Sequence, residues 1–349
     1  MYRSKLAVEI SVKVSELGTF PAISAIPKTY LDLLYPSNKE KGGHFLFKDD
    51  ADIDYLCVEC SRLIKEDLKI ILYPMDCLKE DMRLVRRILS DYEDELEDFI
   101  KENEYEFEPT YESPFDRDYV ETLELAQKGI EYAQGALTMM ESDLQVDFFK
   151  LYRIYDGEIA DLLLGIDRFE RISGKDKIRL GCDPNDTFID YIRKRFGLKG
   201  VVELPVKVSN RDDFVRKLEE SLVALMKRAV YFIRGIQIPL MATVLYTPPL
   251  ILGKASKDLD NLMKIIVPPV NKILRPPLKE WFEVKKKDYG YLAGYEVIKV
   301  PRQKSTPQGG LLWLSFKKHG FHNGLVDRSQ WLIWEWADKV DEVNEYWSN

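Results

Sequence analysis

The chain has 349 residues, of which 45% are hydrophobic and 32% are charged, and its formal net charge at pH 7 is −8. This length allows two domains with a substantial core, and the composition excludes a disordered or collagen-like chain. Its apolar runs are too short to span a bilayer and its first residues lack the apolar core of a signal peptide, so we expect a cytoplasmic protein without membrane contact.

The charges are unevenly distributed along the chain. Residues 1–200 contain 28 Lys and Arg against 42 Asp and Glu, whereas residues 201–349 contain 23 against 17. The C-terminal part is therefore the part that would attract a polyanion such as DNA. The acidity of the middle region, 66–199, argues against DNA contact there and favours a basic protein partner.

In the N-terminal part, alternation of apolar and polar residues predicts a strand over 5–14, and an apolar run after an acidic turn predicts another over 53–60. A short helix is predicted between them, over 22–34. Residues 61–105 have the apolar spacing of helices, and similar spacing further on predicts an acidic helical region over 66–199.

Cys57 and Cys60 form a Cys-x-x-Cys pair inside the strand predicted over 53–60. A zinc site would need a second such pair or histidines at ligand spacing, and Cys77, Cys182 and three scattered histidines supply neither. Two buried structural thiols are therefore the favoured interpretation, and a zinc site is the alternative.

In the C-terminal part, strands and helices alternate. Strands predicted over 201–208 and 238–246 flank a helix over 212–233 with one apolar side. Residues 276–310, rich in Pro, Gly and Lys, are predicted to form a long basic excursion, and 324–346 a final strand and helix. The expected fold class is α/β, with an α+β mixed sheet.

The residues that carry chemistry follow the second of these C-terminal strands. Residues 257–264 read Lys-Asp-Leu-Asp-Asn-Leu-Met-Lys, which places Asp258 and Asp260 two residues apart and Lys264 one turn later. Two close carboxylates suit a hard divalent cation such as Mg2+, and the lysine suits a phosphate. A solvated loop is the alternative, because Asp-x-Asp pairs are common in loops.

With the preceding Tyr246-Thr-Pro-Pro, this motif resembles the signature of the RusA-like family of Holliday-junction resolvases, Asp-x-Asp-Asn-x-x-Lys on a helix and Asp-Asp-x-Gln-[Val/Ile] on a later strand. A candidate for the second element is Asn323-Gly-Leu-Val-Asp-Arg-Ser-Gln-Trp331. When the two are aligned on Ser-Gln, Asp327 corresponds to the first aspartate of the pair. The resemblance implies that 200–349 is a RusA-like domain. It further implies a dimeric endonuclease that depends on Mg2+ (or Mn2+) and serves DNA recombination and repair.

The same resemblance implies roles for individual residues. Asp258, Asp260 and Asp327 would hold the metal, and the catalytic set would be Lys264, Asp258 and Asp260. Basic residues near the motif and in the excursion are the DNA-binding candidates: Lys254, Lys257, Lys285, Lys286 and Lys287. The pair Pro268-Pro269 predicts that the motif helix ends after one or two turns.

The N-terminal segment can be aligned with the same pattern. Lys28 then corresponds to Lys264, and Ala22 and Ser24 replace the two aspartates. Residues 1–65 are thus a possible degenerate RusA-like half, which would make the protein a single-chain pseudo-dimer rather than a homodimer. Further along, Leu46-Phe-Lys-Asp-Asp-Ala-Asp-Ile-Asp-Tyr-Leu56 resembles the family's Asp-Asp-x-Gln-Ile strand, with Asp49 and Asp50 as the aspartate pair. The residues of a possible N-terminal half site are therefore Lys28, Asp49 and Asp50.

The leading hypothesis from the sequence is a metal-dependent endonuclease that hydrolyses phosphodiesters in branched or structured DNA. The alternative is a catalytically inactive RusA-like protein that keeps the fold to bind nucleic acid or to assemble with a protein partner. A third hypothesis is an α/β protein in which neither motif has a chemical role.

Overall fold

The computed structural model describes residues 5–15, 22–34, 50–63, 65–88, 159, 175, 183–185, 202–203, 211–228, 240–250, 258–274, 292–300, 302, 306, 308–319 and 324–348. Most of the predicted acidic helical region, 66–199, lies outside these residues, as does the first part of the predicted basic excursion.

The chain contains the same succession of elements twice: strand, helix, strand, strand, helix. Unit 1 consists of β1 (Leu6–Val14), α1 (Ile26–Leu34), β2 (Ile53–Arg62), β3 (Asp67–Pro74) and α2, which includes residues 75–88. The described strand and helix between the units are β4 (Val202–Glu203) and α3 (Arg211–Arg228). Unit 2 consists of β5 (Leu240–Thr247), α4 (Leu259–Leu274), β6 (Leu292–Lys299), β7 (Leu311–Lys318) and α5 (Leu325–Ser348).

All strands form one mixed sheet in the order β3-β1-β2-β6-β5-β7-β4. In unit 1, β1 is parallel to β2 and antiparallel to β3; in unit 2, β5 is parallel to β6 and antiparallel to β7. The antiparallel pair β2–β6 joins the units. The order and direction of the strands are therefore repeated about a pseudo-two-fold axis between β2 and β6, and the predicted mixed α/β class is confirmed.

Helices cover both faces of the sheet. Successive residues of a strand point to opposite faces, so Leu6 and Val8 of β1 join one hydrophobic cluster and Ala7 joins the other. The first cluster includes α1, α3 and α4, and the second includes α2 and the start of α5. None of the described helices is both long enough and apolar enough to cross a membrane.

Two strands lie where the sequence patterns indicate other structures. The prediction of helix from residue 61 is wrong over β3, and the interpretation of 276–310 as an excursion is wrong over β6. Both are short apolar runs whose periodicity does not separate strand from helix or loop, and pairing with distant strands decides their structure. Unit 1 as described extends past residue 65, because β3 and α2 follow β2 in the same succession.

Helix α4 does not end at its two prolines, as their positions predict. It continues through Pro268 and Pro269 to Leu274. Each proline removes one backbone donor, which costs a helix interior up to ~3 kcal/mol. The buried side chains of Met263, Ile266 and Val270 pack against the sheet on both sides of the prolines, and this burial keeps the helix continuous.

The segment 324–346 is entirely helical after Gly324, where the sequence predicts a strand followed by a helix. The helix begins against a carboxylate of β1: the backbone N–H of Val326 donates to Glu9 Oε1 at 2.6 Å. The N–H of Leu325 donates to the Tyr55 hydroxyl at 2.6 Å. A side chain at Gly324 would overlap the Glu9 carboxylate, so this close approach requires glycine.

The Glu9 contact is part of a buried polar network between the units. Glu296 of β6 is fully buried and accepts hydrogen bonds from the hydroxyls of Thr243 at 2.8 Å and Tyr55 at 3.1 Å. Its positively charged neighbour is Arg328 of α5, whose Nη2 lies 3.4 Å from Glu296 Oε2. Because unit 1 contributes Glu9 and Tyr55, the network fixes α5 against strands of both units.

The Cys-x-x-Cys pair lies on two faces of the sheet. Cys57 belongs to one hydrophobic cluster and Cys60 to the other, and each is 1% exposed. One zinc ion could not take both sulfurs as ligands from opposite faces. Both residues are therefore buried structural thiols, as the sequence favours.

Candidate metal centre

Asp258 and Asp260 lie at the start of α4, after the buried strand β5. The carbonyl of Asp258 accepts the first intrahelical bond, from the N–H of Leu262 at 3.0 Å, so Asp258 is the N-cap residue. Asp260 lies in the first turn, where the helix dipole favours a carboxylate. Asp260 is only 2% exposed.

The third carboxylate comes from unit 1. Asp50 begins a short 3-10 turn, Asp50–Asp52, that leads directly into β2. In the sheet, Tyr55 of β2 pairs with Ile298 of β6, and Ile298 pairs with Leu245 near the end of β5. The beginning of β2 therefore lies at the same edge of the sheet as the end of β5, from which the chain continues to Asp258.

This arrangement brings Asp50, Asp258 and Asp260 together. One carboxylate oxygen from each lies within 4.8 Å of the other two. Ligand oxygens on opposite sides of a cation with bonds of 2.0–2.6 Å are ~4–5 Å apart, so the three side chains can share one ion. The oxygens are the ligands that hard cations such as Mg2+ prefer.

Two oxygens in this group lack a hydrogen-bond donor among the described residues. They are Oδ1 of Asp50 and Oδ1 of Asp260, and both are buried. The other oxygen of Asp260, Oδ2, accepts from Lys264 Nζ at 3.0 Å. A buried carboxylate oxygen without a partner costs free energy unless a cation or a donor compensates it. The orphaned Asp260 oxygen thus points to a ligand, and a divalent cation fits the donor set.

Burial and charge repulsion both raise the pKa of the Asp50 carboxyl. Burial, followed by the negative charge of Asp260, raises the pKa of Asp50 from 3.8 to about 6, against the lowering effect of Lys28. A bound cation would remove this repulsion, because its charge favours the ionised form of each ligand.

Two lysines, one from each unit, flank the carboxylates. Lys264 follows Asp260 by one helical turn and is one-third exposed. Lys28 of α1 is half exposed and donates to Asp32 at 2.6 Å. That hydrogen bond raises the pKa of Lys28, with smaller contributions from the charges of Asp50 and Asp260. The two ammonium groups therefore border the centre from two different helices.

Asp327 lies elsewhere. It is in the first turn of α5, its side chain pairs with Lys69 of β3 at 3.0 Å, and its N–H donates to Glu9 at 3.3 Å. The start of α5 packs on the face of the sheet opposite to α4. Asp327 therefore does not lie with Asp258 and Asp260, and the carboxylate that lies beside them is that of Asp50.

The sequence assigns these candidate residues to two separate half sites, and the structure places members of both in one region. Asp50 and Lys28, assigned by the sequence to a possible N-terminal site, lie with Asp258, Asp260 and Lys264. The remaining candidates are outside the described residues: Asp49, Lys254, Lys257, Lys285, Lys286 and Lys287.

Comparisons with models of protein families, with curated proteins and with solved structures found no match to this chain. The candidate centre is accordingly defined by its own geometry: three carboxylates from both units, two orphaned oxygens and two flanking lysines.

Proposed function

We propose that the protein is a metal-dependent endonuclease that hydrolyses phosphodiester bonds in branched or structured DNA. The observation that carries the proposal is the convergence of Asp50, Asp258 and Asp260, with a buried Asp260 oxygen that no described donor satisfies. Mg2+ or Mn2+ is the proposed cofactor. Branched DNA as the substrate is supported by the RusA-like motif at 257–264 and by the repeated, pseudo-two-fold architecture.

The three carboxylates would hold the cation. Asp260 is fixed by burial and by its bond to Lys264, and Asp258 by the amide of Asn261, which donates to Asp258 Oδ2 at 3.2 Å. When bound, the cation would stabilise negative charge on the phosphate and lower the pKa of the attacking water. Few ligands from the protein leave coordination positions for substrate oxygens and water.

The lysines would bind and orient the phosphate. Lys264 is already held one turn from the carboxylates, and its exposed fraction of 33% leaves the ammonium accessible to a backbone phosphate. Ammonium groups act on phosphates as point charges and need little geometric precision. Lys28, on α1 of unit 1, adds a second positive charge that interacts electrostatically with Asp50 and Asp260.

The direct test is cleavage of a four-way DNA junction in the presence of Mg2+ or Mn2+. Wild type should cleave, and Asp258→Asn, Asp260→Asn and Asp50→Asn should each lose at least two orders of magnitude in rate, since ~3 kcal/mol of charge stabilisation corresponds to about a hundredfold. Asp327→Asn is the matched control: it changes a carboxylate in the first turn of a helix outside the centre, and should keep full activity.

The outcomes separate the candidate functions. Equal cleavage by wild type and Asp258→Asn would reject the centre, and loss of cleavage in Asp327→Asn with retention in Asp50→Asn would restore the ligand set expected from the sequence. DNA binding that weakens steeply with salt, without cleavage in either metal, would select the catalytically inactive binding protein.

A further inference from the structure

The two units correspond in topology but differ in the residues at the corresponding helix starts. Helices α1 and α4 each follow the first strand of a unit and lie on the same face of the sheet. Asp258 and Asp260 lie six and four residues before Lys264; at the same spacing before Lys28, unit 1 has Ala22 and Ser24. Neither replacement offers a carboxylate.

Unit 1 instead contributes to the centre of unit 2. Asp50 lies just before β2, and the pairing of β2 with β6 places it beside the two aspartates of α4. The described centre is thus built between the units, with two ligands from one and one from the other. A symmetry-related centre would need two carboxylates at the start of α1, and the sequence there supplies none.

We infer that the protein forms one metal centre between its two units and therefore cuts one strand in each binding event, leaving a nicked product. This inference rests on the proposed nuclease function. In each cut, the oxygen of water bonds to phosphorus, the ester P–O bond breaks, and the departing sugar oxygen takes up a proton. Nothing beyond water is consumed, and a single phosphate monoester end is produced.

The first experiment counts metal ions. Calorimetric titration of the full chain with Mn2+ should give one ion per chain, and Asp258→Asn/Asp260→Asn should give none. Two ions per wild-type chain would overturn the inference, as would binding that survives in the double variant. This readout does not require catalysis, so it tests the single centre even if the chain does not cleave DNA.

The second experiment uses a supercoiled plasmid that extrudes a cruciform, with substrate in excess over protein. Nicked circles should accumulate first, and linear molecules should appear only after a delay that shortens with protein concentration. Linear product formed without a nicked intermediate would overturn the single-cut inference and leave the nuclease function intact. No cleavage together with no Mn2+ binding would instead reject the proposed function itself.

Discussion

The burial of Asp260 reduces the stability of the fold, and in the proposed function the same carboxylate is a metal ligand. Its side chain is almost completely buried, one oxygen is bonded to Lys264 and the other has no described donor. Groups held in such unfavourable surroundings are typical of functional sites, where stability is lost in exchange for a prearranged ligand. In the proposed function, the residue therefore links the stability of the fold to metal binding.

This link predicts how metal should change thermal stability. At a Mn2+ concentration about a hundredfold above Kd, wild type should gain ~2.7 kcal/mol, seen as a higher Tm by calorimetry. Asp260→Asn should lose most of this gain, because a neutral amide is a poor ligand. Asp327→Asn should show the wild-type shift; an equal shift in Asp260→Asn would contradict the assignment.

Glu9 lies on the face of the sheet opposite to the candidate metal centre, and its burial predicts that the stability of the protein depends on pH. Burial raises its pKa from 4.5 to about 7; the Val326 N–H and Arg328 lower it, and Asp327 and Glu296 raise it. A raised carboxyl pKa contributes stability that is complete below pH ~4.5 and is lost as pH rises through about 7. The loss is roughly 3 kcal/mol, at 1.36 kcal/mol per pKa unit.

Glu9→Gln should remove this slope between pH 4.5 and 7, measured as the free energy of urea unfolding across that range. Glu80→Gln is the control, since Glu80 is 75% exposed on α2 and should leave the slope unchanged. A Glu9→Gln protein with the wild-type slope would show that another group is responsible.

Among the elements, α4 shows how packing overrides a local signal. The helix carries the candidate ligands at its start and two prolines in its interior, and its apolar face is buried around both. The prolines remove donors that would bond the carbonyls of Lys264 and Ile265, and the packed face compensates for the loss.

Pro268→Ala should therefore stabilise the protein. Pro268 is exposed, so the change restores a backbone hydrogen bond without removing buried contacts, and we expect a gain of about 1–2 kcal/mol in the free energy of unfolding. Pro27→Ala is the control: Pro27 is buried in the first turn of α1, where a missing N–H costs nothing, and the change should give no gain. A destabilised Pro268→Ala would contradict this account.

At the scale of the whole molecule, the centre depends on the joining of two units within one chain. Asp50 and Asp258 come from different units, and the β2–β6 pair places them at one edge of the sheet. A mixture of Asp50→Asn and Asp258→Asn proteins should consequently remain inactive on junction DNA and show no Mn2+-induced rise in Tm. Recovery of either signal would indicate a centre assembled between two chains, as in a homodimer.

Local pattern was sufficient for some elements and insufficient for others. Alternation predicts β1 and short apolar runs predict β2 and β5, and the structure confirms these three strands. The same reasoning misses β3 and β6. Their local residues do not separate them from helix or loop, and their structure depends on partners distant in the sequence.

The candidate site divides in the same way. Asp258, Asp260 and Lys264 are predictable, because a strand, a turn and a helix start with this spacing place them together. The third carboxylate is not. Matching Ser-Gln in the sequence selects Asp327, which the fold places on the opposite face of the sheet beside Lys69. The Asp-Asp signal before β2 identifies Asp50, but not the centre to which it belongs.

The sequence by itself determined the α/β class, the strands β1, β2 and β5, and the pair of aspartates at the start of a helix. These features depend on residues within a few positions of one another, where periodicity and capping act. Only the tertiary structure decided that two units share one sheet and that Asp50 completes the group of carboxylates. Strand order and register are set by long-range pairing and burial, which no local spacing encodes.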